Sequence, residues 1–280
     1  MNRWTETGMS TDRHAVLDRT RPMVFAHRGG ASLMPENTWE AFANGLALGA
    51  DGLELDCRLS HDEVVMVHHD ATLDRTTSGR GPLAARTAEE LDTLDAAYWF
   101  APGRGYPLRG KGIRIPRLTE VLRHTRDAPV IIELKGIDPI LARAAAEVVR
   151  RAGALERVCF GGYSLTTLRA VRDAEPAAAT SACREEVRLA LYKSWAHWPL
   201  RRLRYRVLQV PEHAGSQRIV SPRFVRAAHR AGLAVHVWTV DEPHDIARLL
   251  DWGADGIITD RPDVAVPAVR QWLGSTAKHR

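Results

Sequence analysis

Cysteine is scarce in this sequence: three in 280 residues, Cys57, Cys159 and Cys183, far apart and without a C-x-x-C pair. An odd, scattered set argues against a disulfide framework and a thiolate zinc site, and it fits a reducing cytoplasm, where the protein is expected to reside. Long apolar runs are missing too. No uninterrupted stretch approaches the roughly 18 residues of a membrane span. The first twenty positions are polar and of mixed charge, without the apolar segment of a secretory signal. Charge of one sign is not strongly in excess: 39 Lys and Arg against 34 Asp and Glu leave a formal net charge of +5. That balance attracts phosphorylated small molecules or other anions. Without a dense basic tract, zinc-finger spacing or an RNA-binding signature it does not point to nucleic acid. No feature calls for a protein partner. The remainder, 45% hydrophobic and 26% charged, is an ordinary globular composition, and the length suits a single α/β barrel.

What is present is alternation. Apolar, β-rich runs at 23–26, 52–57, 64–67, 130–134, 158–161, 207–210, 234–240 and 256–259, with a weaker one at 177–183, are separated by Ala/Leu/Arg-rich segments of helical period. Helices are predicted over 38–48 (with Asn37 as N-cap), 141–152, 221–231 and 243–252, several closed by Gly. The phrases Ala47-Leu48-Gly49-Ala50-Asp51-Gly52 and Asp251-Trp252-Gly253-Ala254-Asp255-Gly256 resemble each other, and each ends a helix and launches a strand. Repeated strand–helix units predict a parallel sheet, and roughly eight of them a closed (β/α)8 barrel, a TIM barrel. One stretch, 70–116, lacks the repeat and is rich in Gly, Arg, Thr and Pro. It reads as an insertion after the second strand, over the barrel mouth, with a short helix near 87–95. Residues 1–20 read as a flexible leader, 21–274 as the barrel and 275–280 as a tail.

The chemistry-bearing residues cluster where strands end. In Leu53-Glu54-Leu55-Asp56, strand alternation puts Glu54 and Asp56 on one face. Two adjacent carboxylates repel, and a hard cation such as Mg²⁺ or Ca²⁺ relieves that repulsion; a solvated acidic edge is the bland alternative. Glu133 and Lys135 share a face in the apolar run Ile131-Ile132-Glu133-Leu134-Lys135. They form either an ion pair, or a ligand and a phosphate contact. His27-Arg28-Gly29-Gly30 closes the first strand and His68-His69-Asp70 the second strand region. Adjacent histidines point to opposite faces, so one of the pair lines a site. Imidazole suits proton transfer and guanidinium suits phosphate.

These motifs, in order, resemble the glycerophosphodiester phosphodiesterase family: His27-Arg28-Gly29, Pro35-Glu36-Asn37-Thr38, Glu54-x-Asp56, His69-Asp70 with Arg75-Thr76-Thr77, Ile115-Pro116, Glu133-Leu134-Lys135, Val237-Trp238-Thr239-Val240 and Gly253 to Pro262. The resemblance spans roughly 22–267 and implies a TIM barrel with an insertion after the second strand. It further implies Glu54, Asp56 and Glu133 as ligands of a divalent cation, Mg²⁺ or Ca²⁺, and His27 and His69 as general acid and base. Arg28 and Lys135 become phosphate contacts and Trp238 a residue at the substrate mouth. The expected reaction is hydrolysis of a glycerophosphodiester to glycerol 3-phosphate and an alcohol.

Two alternatives accompany that expectation. A lysophospholipase D acting at a membrane surface is kept open by residues 192–206, where Trp and Tyr mix with Lys and Arg and suit weak contact with an anionic bilayer. An exposed barrel helix and loop is the favoured reading of that segment, because Pro199 interrupts any long amphipathic helix. A non-catalytic phosphate- or polyol-binding barrel would be marked by loss of a ligand or a histidine, and none is lost.

Overall fold

The computed structural model describes residues 14–277. Eight parallel strands form the barrel. In chain order they begin with β1 (Met23–His27) and β2 (Gly52–Leu59). A short β3 (Val65–Val67) intervenes, then β4 (Val130–Leu134), β5 (Val158–Gly161), β6 (Ala179–Thr180) and β7 (Val207–Pro211). After a small surface hairpin of β8 (His213–Ala214) and β9 (Gln217–Arg218) come β10 (Ala234–Trp238) and β11 (Gly256–Thr259). The neighbours run β6-β5-β4-β2-β1-β11-β10-β7, and a parallel bridge between Ser181 and Val207 joins the ends of that path. The expected (β/α)8 barrel is therefore borne out. The weak run at 177–183 is one of its strands.

The run at 64–67 is not a barrel strand. β3 lies antiparallel to β2, with Cys57 opposite Val67 and Leu59 opposite Val65. Three apolar residues carry no signal of direction; the turn at 60–64, with Glu63 in the left-handed region at φ 59°, sends the chain back. From there to Ile115 the chain builds a separate apolar cluster of Met66, Leu73, Leu83, Leu91, Ile113 and others.

The helices are α1 (Trp39–Ala47), α2 (Ala88–Asp92), α3 (Leu118–His124), α4 (Pro139–Arg151), α5 (Leu165–Ala174), α6 (Arg184–Trp195), α7 (Pro222–Arg230), α8 (Pro243–Asp251) and α9 (Pro262–Ala277). Local chemistry sets their ends. Ser221 caps α7 through a bond from Phe224 N, with Pro222 in the first turn. Thr87 and Glu90 form a capping box on α2. Thr38, not Asn37, caps α1, accepting from Ala41 N; Asn37 has another task, described below. The two similar phrases do the same work twice. Gly49 and Gly253 sit at φ 93° and 94° just past α1 and α8, a conformation that costs glycine little. The Asp that follows each, Asp51 or Asp255, accepts a 2.8 Å bond from the backbone N–H of Val24 or Val235 on the neighbouring strand.

The barrel interior is filled by alternate strand residues, Met23, Phe25, Ile131, Cys159, Val207, Ala234 and Ile258 among them. Val16, in the short 3-10 turn Ala15–Leu17, packs into the same cluster and is fully buried. The expected flexible leader therefore ends earlier: residues 14–17 pack at the barrel floor, and His14 Nε2 lies 3.0 Å from the carbonyl of Val158. Residues 1–13 lie outside the described residues. At the other end α9 continues to Ala277, so the helix extends into the expected tail, of which 278–280 lie outside the described residues. Among the described residues no helix is long and apolar enough to cross a membrane.

Candidate active site

Above the apolar layers the inward-facing positions turn polar. His27 follows Met23 and Phe25 with the same parity on β1. Register places it opposite Glu54 on β2, while Asp56 lies opposite Glu133 on β4. These neighbours come together at the C-terminal rim, the end of a parallel barrel where loops deliver functional groups. A cavity of about 560 Å³ opens there, lined by His27, Arg28, Glu54, His69, Glu133, Lys135 and Trp238, among others. Asp56 lies just behind its wall, 1% exposed.

Glu54, Asp56 and Glu133 each offer an oxygen, and the three atoms lie within 4.8 Å of one another. Burial beside Asp56 and Glu133 pushes the Glu54 carboxyl up to about 8, the mark of negative charge packed closer than the local cations offset. Burial would also raise Asp56, but Lys135 and Arg28 outweigh it and hold that carboxyl below its ordinary range. Asp56 Oδ1 is buried without a hydrogen bond, although Lys135 Nζ stands 2.9 Å away. Three hard oxygens so close together, with the charge on one carboxylate undercompensated, fit a divalent cation. Lys135 Nζ also bonds Glu133 Oε1 at 2.6 Å, so it sits on two of the three carboxylates.

Both candidate histidines have Nδ1 on a carboxylate: His27 on Asp260 at 2.7 Å and His69 on Asp70 at 2.6 Å. Nδ1 donates in either protonation state, which leaves Nε2 as the exchangeable position. Burial disfavours charge on His27, yet Glu54, 3.7 Å from Nε2, and Asp260 together raise its pKa above the ordinary value. His68 turns the other way, buried with Nε2 3.1 Å from the carbonyl of Thr72; the alternation expected of adjacent histidines holds.

Arg28 takes a left-handed backbone at φ 50° and donates its N–H to Glu54 at 3.1 Å. Its guanidinium lies 3.2 Å from Asp56 and bonds Glu36 at 3.0 Å. Arg75 grips Glu36 with two 2.7 Å bonds and Asp70 with a 2.6 Å bond, so the guanidinium at one side and His69 at the other share one ionic chain. Trp238 stands edge-on to Tyr163, ring centroids 6.3 Å apart, on the cavity wall.

Four contributors carried no role at the site in the sequence analysis: Asn37, expected there only as a helix cap, and Glu36, Asp70 and Asp260. Asn37, at φ 58°, donates Nδ2 to Asp56 at 2.8 Å and accepts from the Asp56 N–H at 3.1 Å. Each belongs to a motif noted above, so the signal was position within a motif rather than residue type. His236, beneath the site, is buried against Phe25 with neither ring nitrogen bonded, and burial pushes its pKa down to about 4.

A carboxylate cluster fit for a cation, flanked by two carboxylate-held imidazoles and two fixed positive charges at the C-terminal rim of a parallel barrel, defines a barrel site shaped for an anionic substrate. Residues 27–264 match the model of the glycerophosphoryl diester phosphodiesterase family, and the chain belongs to that family. A glycerophosphodiester phosphodiesterase of Caldanaerobacter subterraneus is 34% identical over 256 residues, covering 90% of this chain and 99% of the relative. One from Bacillus subtilis is 29% identical, covering 89% and 87%. The crystal structure of a glycerophosphodiester phosphodiesterase from Agrobacterium tumefaciens superposes with a TM-score of 0.72 at 30% identity, covering 88% of this chain and 99% of the other.

Proposed function

We propose that the protein hydrolyses glycerophosphodiesters to glycerol 3-phosphate and an alcohol, using a divalent cation and two histidines. The observation that supports this best is the joint arrangement in one cavity: three carboxylate oxygens within 4.8 Å of one another, and two imidazoles each bonded through Nδ1 to a carboxylate. Glu54, Asp56 and Glu133 would hold the cation, Mg²⁺ or Ca²⁺ by the hardness of the donor set. Held there, a cation would supply Lewis acidity and offset the negative charge of a phosphodiester.

The chain's own groups do the rest. Arg28 and Lys135 are held at fixed positions by acidic partners and add positive potential where a phosphodiester enters, with little reorganisation during the reaction. One histidine takes a proton from the attacking oxygen at Nε2 and the other delivers one to the departing alcohol oxygen. Asp260 and Asp70 hold each ring in place. Trp238 and Tyr163 wall the mouth of the cavity.

The test is a panel of glycerophosphocholine, glycerophosphoethanolamine and glycerophosphoglycerol, assayed for glycerol 3-phosphate release with Mg²⁺, with Ca²⁺ and with chelator. Release that requires a cation is expected, and His27→Ala or His69→Ala should lower it at least ~100-fold. No release with either cation, or full activity in both variants, would overturn the reading.

A further inference from the structure

Arg28 and His69 face the cavity, and each leans on a carboxylate that does not line it: Glu36 behind Arg28 and Asp70 behind His69. Glu36 lies between β1 and α1, whereas Asp70 follows β3 at the start of the inserted segment. One guanidinium spans both supports. Arg75 donates from Nη1 and Nη2 to the two Glu36 oxygens, at 2.7 Å each, and from Nε to Asp70 Oδ2 at 2.6 Å. Asp70 Oδ1 is left for His69 Nδ1, and Glu36 Oε1 is shared with Arg28. A planar fork of donors can serve two carboxylates in this way; an ammonium, a compact point charge, cannot reproduce the pattern.

The backbone under Arg75 is built to hold still. Leu73 is fully buried in the apolar cluster of the inserted segment. Its carbonyl accepts from the N–H of Thr77 at 3.1 Å and from Thr77 Oγ1 at 2.7 Å, which closes a turn over residues 74–76. Thr77 Oγ1 accepts in turn from the N–H of Gly79, and Asp74 accepts from that of Gly81. The Arg75 side chain remains 49% exposed, and a lone ion pair at that exposure contributes little. Here one cation meets three carboxylate oxygens from a fixed backbone, the arrangement in which charged hydrogen bonds count. Burial works against charge on Glu36 and Asp70. Arg75 outweighs it, helped by Arg28 at one and His69 at the other, and both carboxyls stay below their ordinary range. Without Arg75, two negative charges would stand behind a site for an anionic substrate, and Arg28 is already shared with Asp56.

We infer that Arg75 is a positioning residue with two separable arms. Through Glu36 it fixes Arg28 for the phosphodiester, and through Asp70 it fixes the His69 ring for proton transfer. The inference rests on the proposed phosphodiesterase activity, and it gives the inserted segment a part in both binding and turnover. A tie that only fastens the insertion to the barrel would instead cost stability without sorting the two.

Two double-mutant cycles test it, with the best-cleaved substrate of the panel and saturating cation. kcat reads the Asp70 arm. The dissociation constant of sn-glycerol 3-phosphate, by calorimetry, reads the Glu36 arm, and the calorimetric stoichiometry counts competent sites so that kcat does not depend on folding yield. Arg75→Met is expected to lower kcat about tenfold and to weaken product binding about tenfold. In an Asp70→Asn background it should leave kcat within about twofold and still weaken binding. In a Glu36→Gln background it should leave binding within about twofold and still lower kcat. Should Arg75→Met not fold, Arg75→Lys in the same cycles should give smaller losses sorted in the same way. Losses of equal size in every background, or no loss of either quantity, would overturn the inference alone. A wild type that cleaves none of the panel would overturn the phosphodiesterase reading, and product binding would still decide the Glu36 arm.

Discussion

Replacing His236 with leucine removes one imidazole from the centre of the barrel. That ring is fully buried, bonds through neither nitrogen, and has its pKa pushed from 6.5 to about 4. The folded protein therefore holds it neutral at pH values where the unfolded chain protonates it. A group with a depressed folded pKa contributes its full stability above the unfolded value, near 6.5, and loses it as pH falls toward 4. Between those limits the difference amounts to about 3 kcal/mol, and linkage places about 2 kcal/mol of it between pH 7 and pH 5. Wild type should lose that much more stability than His236→Leu over this interval. At pH 7 the variant should be near neutral or somewhat more stable, because two unpaired ring nitrogens leave the core and a side chain of similar volume replaces them. Urea unfolding at pH 7, 6 and 5 measures both. Parallel losses in the two proteins would refute the argument, since every other titrating group is common to them.

Asp260→Asn keeps a hydrogen-bonding partner for His27 Nδ1 but removes its charge, and should lower kcat about 10- to 100-fold with KM little changed; steady-state kinetics in saturating cation reads the split. Glu133→Gln removes one of the three carboxylates and should raise the cation concentration for half-maximal activity at least about tenfold, read by titration from a chelated start. Val16→Ala leaves a void at the barrel floor and should cost about 2 kcal/mol by denaturant unfolding without altering KM.

Much of this was legible in the sequence because it is local. Alternation alone puts Glu54 and Asp56 on one face, and glycine at the end of each of two similar phrases announces a helix-to-strand turn; both follow from residue periodicity and backbone sterics. The direction of β3 was not legible, since it depends on a turn and not on its three apolar residues. Nor was Val16, which sits in a polar stretch and is buried only because the barrel floor is there to receive it. The carboxylate that orients His27 comes from a residue 233 positions away, and register between β1 and β11, not anything near His27, brings it there. Asn37 looked like a helix cap because Asn caps helices; the neighbouring Thr38 took that place and released Asn37 to bond Asp56.

The antiparallel turn-back of β3 has a consequence for how the site comes apart. His27 and the three carboxylates stand on barrel strands, whereas His69 and Asp70 follow β3 and lead into a segment with an apolar cluster of its own. The two imidazoles thus belong to units that need not open together. On the proposed mechanism, a partial opening of the smaller unit would withdraw one of the two imidazoles while the carboxylates keep their places, leaving a site able to take a cation but not to complete proton transfer.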